Sequence, residues 1–388
     1  MPAGTQRADA IRFIVCLGVV SLCADAAYEG ARSVTGPYLK ELGASAAEVG
    51  LIAGMGEMLA AGLRWFSGQF ADRTRSYWTI TIFGYALTAL SVPLLAFAGN
   101  WQMAAVLVAA ERTGKAIRGP ARDVLMSGAT GVVGHGWGFG LHTALDQTGA
   151  VIGPLLMAAA VARTDRLAPA FLLLAIPAAL TLAALAAARA VSPPADPPAP
   201  PEAPRALPRV FWLYVIAAGL LASGFIDFAL LAYHFGRASL AAPMAIPLIY
   251  AGAMGVNGLT ALVLGRLFDR WGVVVLCLGV LVSLLALPFA LLGGTALAIG
   301  GVACWATGLG AQDAILRSAI AQVVSMERRG RAFGVFNAVY GVCWFAGSAT
   351  MGALYDCSIS GVVWFGVALQ LISAAIFFSL RRPLAAVR

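Results

Sequence analysis

Stretches of about twenty apolar residues recur from one end of the chain to the other, and few folds tolerate that pattern. A helix needs about 20 such residues to cross the hydrocarbon core of a bilayer. About twelve stretches qualify by this length criterion, at 11–38, 46–70, 77–98, 101–121, 136–160, 168–189, 209–234, 243–267, 272–293, 295–317, 331–354 and 360–380. In lipid every backbone N–H and C=O must find its partner inside the chain, so helices are expected throughout. The composition agrees, with 60% hydrophobic and only 11% charged residues and a mean hydropathy of +0.85. A soluble protein carries about a quarter charged residues. No soluble domain of useful size remains.

The net charge of +8 would suit a nucleic-acid binder, but its placement argues otherwise. About eighteen of the 26 basic residues fall in ends and loops on one side, among them Arg7, Arg12, Arg73, Arg75, Arg205, Arg209, Arg270, Arg328, Arg329, Arg331, Arg381 and Arg382. Lys40, Arg163, Arg166 and Arg237 fall on the other. This asymmetry places both termini in the cytoplasm. The expected setting is the lipid bilayer of a bacterial inner (plasma) membrane, crossed many times, with no nucleic-acid partner. Residues 1–10 are polar and lack a cleavage pattern, so no removable signal peptide is expected. The six cysteines show no CxxC spacing and read as small apolar residues.

Residues 192–208, SPPADPPAPPEAPRALP, form one proline-dense segment that cannot be helical. It divides the chain into a six-helix bundle at 1–190, a cytoplasmic linker at 191–208 and a second six-helix bundle at 209–388. The halves repeat. GQFADRTRS from Gly68 and GRLFDRWG from Gly265 are one motif written twice. At nearly the same offset, GFGLHTALDQTGAVIG (138–153) aligns with AFGVFNAVYGVCWFAG (332–347). Parallel six-helix repeats with a midplane site are a known transporter plan.

With these motifs the chain resembles the major facilitator superfamily over its whole length. GQFADRTRS is similar to that family's loop signature, G-x-x-x-D-R-x-G-R/K, with Arg75 and Ser76 standing where a glycine and a base are usual. Gly149, Gly153 and Pro154 look like the G-x-x-x-G-P core typical of drug–proton antiporters, followed here by Met157 and Ala158. ERTGKAIRGPARD (111–123) resembles the arginine motif of the fourth helix, with Arg112 in the expected place. The resemblance implies twelve transmembrane helices in two pseudo-symmetric bundles. It also implies a conformational latch at Asp72, Arg73, Asp269 and Arg270.

Charge inside the bilayer is the signal for chemistry, because a charged centre at mid-depth costs about 2.5–3.5 kcal/mol on insertion scales. The first span carries Asp25, Glu29 and Arg32 on one face, bordered by Tyr28. At 1.5 Å per residue, Asp25 lies about 20 Å from Arg12, near mid-membrane. Glu57 and Arg64 occupy the second span, and Glu111, Arg112 and Lys115 the fourth, with Arg118 nearing the inner surface. His142 and Asp146 lie four apart on the fifth. Five buried acids (Asp25, Glu29, Glu57, Glu111, Asp146) then face four bases (Arg32, Arg64, Arg112, Lys115). One surplus carboxyl could carry a proton. Proton coupling is therefore expected at Asp25, Glu29, Arg32, Glu57, Arg112 and Asp146. Substrate contacts are expected at Tyr28, Lys115, His142, Asp227, Asn257 and Asn337. The pairs Glu57–Arg64 and Arg112–Asp146 could also be static packing contacts, and Gly149 and Gly153 could serve close packing alone.

Soft ligands for copper(I) exist at Cys16, Cys23, Met55 and Met58, but Met and Cys are ordinary apolar fillers. No metal site and no cofactor are expected. No Walker A sequence, serine elbow or HExxH motif is present, and GFG at 138–140 lacks a strand context, so neither an enzyme nor a direct user of ATP is indicated. The leading expectation is a monomeric secondary transporter using alternating access for proton-coupled export of a small, partly apolar molecule. The alternatives are a proton-coupled importer of a nutrient, vitamin or metal complex, and a non-transporting membrane receptor or assembly factor.

Overall fold

The structure, a computed structural model, describes residues 3–133, 135–192, 207–324 and 329–381. It is helical, with no strand among the described residues. The long elements are α1 (Ala3–Glu41), α2 (Ala46–Thr74), α3 (Tyr77–Leu94), α4 (Trp101–Val133) and α5 (His135–Thr164). They are followed by α6 (Leu167–Ala170) and α7 (Ala175–Ala190), then α8 (Arg209–Gly224), α9 (Phe228–Arg237) and α10 (Ala245–Trp271). The chain closes with α11 (Val274–Ser283), α12 (Ala286–Leu292), α13 (Thr295–Val323), α14 (Arg329–Cys357) and α15 (Ile359–Ser379).

Among the described residues, 10 helical segments are long and apolar enough to cross a membrane. Two expected stretches fall outside that set while remaining long helices. One is 101–121 inside α4, of 33 residues; the other is 295–317 inside α13, of 29 residues. The physical reason is visible in α4, where Glu111, Arg112, Lys115 and Arg118 interrupt the apolar run. In α13 four glycines and Gln312 dilute it. The expected linker at 191–208 lies mostly outside the described residues.

The chain forms two compact units. One gathers Met1–Tyr38, Gly62–Pro200 and Pro243–Ala251; the other gathers Leu39–Ala61, Pro201–Ala242 and Gly252–Arg388. The first unit is built on a core of Phe13, Leu17, Val20, Tyr85, Leu125 and Met126, contributed by α1, α3 and α4. The second is built on Phe211, Tyr214, Leu221, Val280, Ile315 and Phe377, from α8, α11, α13 and α15.

The span at 209–237 is broken between α8 and α9, and its freed backbone groups are bonded internally, as a bilayer requires. Phe225 is extended at φ −96°. Asp227 caps α9, its carboxylate accepting from Ala229 N at 2.9 Å. Trp305 Nε1 donates to Ile226 O at 2.8 Å and Gln370 Nε2 to Gly224 O at 2.8 Å. In the same unit Asp356 accepts from Ala47 N at 2.9 Å at the start of α2 and pairs with Arg237 at 3.5 Å.

The doubled loop motif ends in the same backbone turn in both copies. Gly272 lies in the left-handed region at φ 66°, its N–H bonded to Phe268 O at 2.8 Å. Arg75, its counterpart, adopts φ 53° with N–H bonded to Ala71 O at 2.8 Å. The left-handed helix terminus favours glycine, so the first copy carries local strain of about 1 kcal/mol. Arg75→Gly should therefore leave stability unchanged or raise it, and Gly272→Arg should lower it by about 1 kcal/mol. Thermal unfolding of the purified chain in detergent reads both; equal effects of the two substitutions would contradict the shared turn.

Candidate functional site: a buried charge cluster in the first unit

Glycines set the spacing that builds this site. A Cβ added to Gly114 on α4 would lie 2.6 Å from Gly84 O and 2.7 Å from Thr88 Oγ1 on α3. A Cβ on Gly149 or Gly153 of α5 would run into the carbonyl oxygens of Leu22 and Ala26 on α1. Backbones this close leave room only for glycine, the small-residue contact that drives helix association in lipid. The antiporter-like segment thus has a packing role: it holds α5 against α1. Pro154 lies within the same helix.

That approach carries three rows of charge together. On α1, Asp25, Tyr28, Glu29 and Arg32 follow each other at helical spacing. On α4, Glu111, Lys115, Arg118 and Arg122 do the same, and α5 brings His142 and Asp146. Asp25, 6% exposed, is the hub. Its Oδ1 lies 3.9 Å from Lys115 Nζ and 3.8 Å from Arg118 Nη2. Asp146, half-buried on α5, lies near Asp25, Lys115 and Arg122.

Tyr28 gathers three cations. Its hydroxyl accepts from Arg32 Nη1 at 3.1 Å and from Arg112 Nη1, and Lys115 Nζ sits 3.8 Å from its ring centroid. Glu29 accepts from the Tyr250 hydroxyl at 2.6 Å. Glu111 pairs with Arg112 at 3.6 Å. Arg118 donates to Thr88 Oγ1 at 2.8 Å and stacks over Tyr85 at 4.3 Å. Ser21 joins Tyr85, His142 and Arg122 at 3.3, 3.4 and 3.2 Å.

The structure therefore brings together Asp25, Tyr28, Glu29, Arg32, Arg112, Lys115, His142 and Asp146. Other expected residues lie elsewhere. Glu57 is half-buried in the second unit. Asp227 is the helix cap described above. Asn257 donates to Asp313 at 3.3 Å and Asn337 is half-buried on α14, both in the second unit. Arg73 and Arg270 are exposed, and the side chains of Asp72 and Asp269 fall outside the described residues.

Two cluster members escaped the sequence reading. Arg118, expected near the inner surface, is 2% exposed and pairs with Asp25. Arg122 lies one turn further along the same row. The steps of four, three and four from Glu111 through Lys115 and Arg118 to Arg122 were the available signal. Tyr250 is a tyrosine in an apolar stretch, and nothing local to it announces a partner on α1.

A family model described as the Major Facilitator Superfamily matches residues 17–348. The chain belongs to the major facilitator superfamily. Uncharacterised proteins of Mycobacterium bovis and Mycobacterium tuberculosis are 43% identical to it over 385 residues, covering 97% of this chain and 94% of theirs. An uncharacterised transporter of the same superfamily type from Methanocaldococcus jannaschii is 27% identical over 143 residues, covering 37% of this chain and 36% of its own.

Among solved structures, the nucleoside transporter NupG superposes with a TM-score of 0.69 at 14% identity, covering 97% of this chain and 98% of that one. A POT family transporter in complex with 5-aminolevulinic acid gives 0.75 at 14%, covering 97% and 96%. These likenesses establish the fold. The superfamily and the fold make this chain a multi-pass membrane protein of the secondary-transporter class and point away from an enzyme.

The glycine contacts are open to a direct check. Gly153→Val should abolish or strongly reduce the monodisperse folded fraction seen by size-exclusion chromatography in detergent. Gly140→Ala, where an added Cβ meets nothing within 4 Å, should not. A normal folded yield for Gly153→Val would show that α1 and α5 do not meet through these residues.

Proposed function

We propose that this superfamily member spans the bacterial inner membrane twelve times as two six-helix bundles, both termini cytoplasmic. It works as a monomer and couples a small, partly apolar substrate to protons by alternating access. The proton reading is supported by the gathering of Asp25, Glu29 and Glu111, all buried, with Asp146 near them on α5. Carboxyls that gather in a low-dielectric setting favour a proton on one of them, since like charges there repel, and Asp25 with Asp146 is the pair assigned to hold it. The groups facing the pair are Lys115, Arg118 and Arg122 of α4, His142 of α5 and Glu29 of α1. Movement of a cation toward or away from Asp25 would change the pair's hold on its proton, which is what coupling requires.

Export as an antiporter is supported by the resemblance of the Gly149–Gly153–Pro154 segment. Proton-coupled uptake of a nutrient, vitamin or metal complex is the second reading. A conformational latch at Asp72, Arg73, Asp269 and Arg270 on the cytoplasmic side belongs to this reading, supported by the doubled loop motif.

Proteoliposomes that trap a pH-sensitive dye test this reading. A library of small organic compounds, added one at a time, should include some that move protons through the native chain. Asp25→Asn and Asp146→Asn should each abolish that proton movement. Proton movement surviving in both variants would overturn the assignment of this pair and shift attention to Glu29 and Glu57.

A further inference from the structure

The turn between α2 and α3 carries a strain that its twin avoids. Gly272 closes the second copy of the loop motif in the left-handed region, and Arg75 closes the first at φ 53°. The first copy thus keeps an arginine where the backbone favours glycine. The result is two exposed guanidinium groups, Arg73 and Arg75, at one turn, against the single acid Asp72 in the sequence there. Ser76 at the start of α3 makes no cap bond to that helix; its hydroxyl donates to Thr74 O at 3.2 Å instead. The first N–H groups of α3 therefore add their positive end to the same turn.

An apolar groove of about 450 Å³ begins beside these arginines. Its walls are Leu63, Phe66 and Phe70 of α2, Ile80 and Phe83 of α3, and Ile117 of α4. Phe70 precedes Arg73 by three residues, and Thr79, also on the wall, follows Arg75 by four, so the two cations stand at one end. Phe66, Phe70 and Phe83 are 62%, 60% and 58% exposed, which leaves the groove open on its outer side. Ser67, within the wall, directs its hydroxyl to Ala116 O at 3.2 Å. From Leu63 to Phe70 the groove follows α2 for about 10 Å at 1.5 Å per residue. That is most of the hydrocarbon depth of one leaflet, about 15 Å.

We infer that this groove and turn bind one anionic phospholipid, an acyl chain lying along α2 among the phenylalanines and the headgroup phosphate held by Arg73 and Arg75. A free phosphate would use the turn and leave the groove empty. An uncharged hydrocarbon would use the groove and leave the arginines unmatched. A zwitterionic lipid would bring a second cation to a turn that already carries two. A lipid of net negative charge matches both parts, since each nearby arginine favours an anionic headgroup. The groove shares no residue with the charge cluster, so it takes lipid whatever molecule the carrier moves.

Native mass spectrometry of the purified, delipidated full chain in detergent counts what stays bound. The added probes are dioleoyl phosphatidylglycerol, dioleoyl phosphatidylcholine and inorganic phosphate. One phosphatidylglycerol should be retained several-fold more strongly than phosphatidylcholine, and phosphate alone should not be retained. Arg75→Gly removes the cation while relaxing the turn. It should bring phosphatidylglycerol down to the level of phosphatidylcholine without lowering the thermal unfolding midpoint of the lipid-free chain. Leu63→Trp, which fills the groove, should weaken phosphatidylglycerol retention several-fold. Equal retention of the two lipids by the native chain would overturn the assignment, as would a phosphatidylglycerol preference that survives Arg75→Gly. Undiminished retention in Leu63→Trp would remove the groove as the seat of the chain. Phosphate bound with the same dependence on Arg75 would show a simple anion site in place of a lipid site.

Discussion

The ion pairs from Asp25 to Lys115 and Arg118 are the contacts on which the first unit depends. A charge near the middle of a bilayer costs about 2.5–3.5 kcal/mol on insertion scales. α1, α4 and α5 can carry their charges only if those charges meet. They meet because Gly149 and Gly153 let α5 touch α1, and because Gly84 and Gly114 let α3 touch α4. Small residues at helix crossings and charged residues one turn away are two parts of one arrangement. Removing either would leave the other without a purpose.

The arrangement also suits function. A cluster whose charges are all satisfied in one fixed way would be a structural clamp. Here Lys115 is divided between Asp25 and the Tyr28 ring, and Asp25 is divided between Lys115 and Arg118. Each partner can be exchanged for another at small electrostatic cost. Exchange of that kind lets the binding of one particle alter the hold on a second, and the effect is reciprocal by linkage.

Much of this was legible in the residues. The helical fold followed from apolar stretches of bilayer length, and the superfamily followed from the two loop motifs. Asp25, Glu29, Lys115, His142 and Asp146 announced themselves as charge where charge is costly. Arg118 was not assigned to the site because hydropathy falls wherever charges cluster, buried or not. Asp227 looked like a ligand group and is a helix cap, because the break between α8 and α9 lies inside a continuous apolar run that no periodicity marks. The partnership of Glu29 with Tyr250 joins residues far apart in the chain, and pairing of that kind is decided only by packing.

The central claim is that Asp25 and Asp146 share one proton inside the membrane. Infrared difference spectroscopy of the purified chain in lipid, recorded across a pH titration, reads it most directly. The account predicts a buried protonated-carboxyl band that disappears in Asp25→Asn and equally in Asp146→Asn. A spectrum with no such band at any pH, or a band that survives unchanged in both variants, would contradict it.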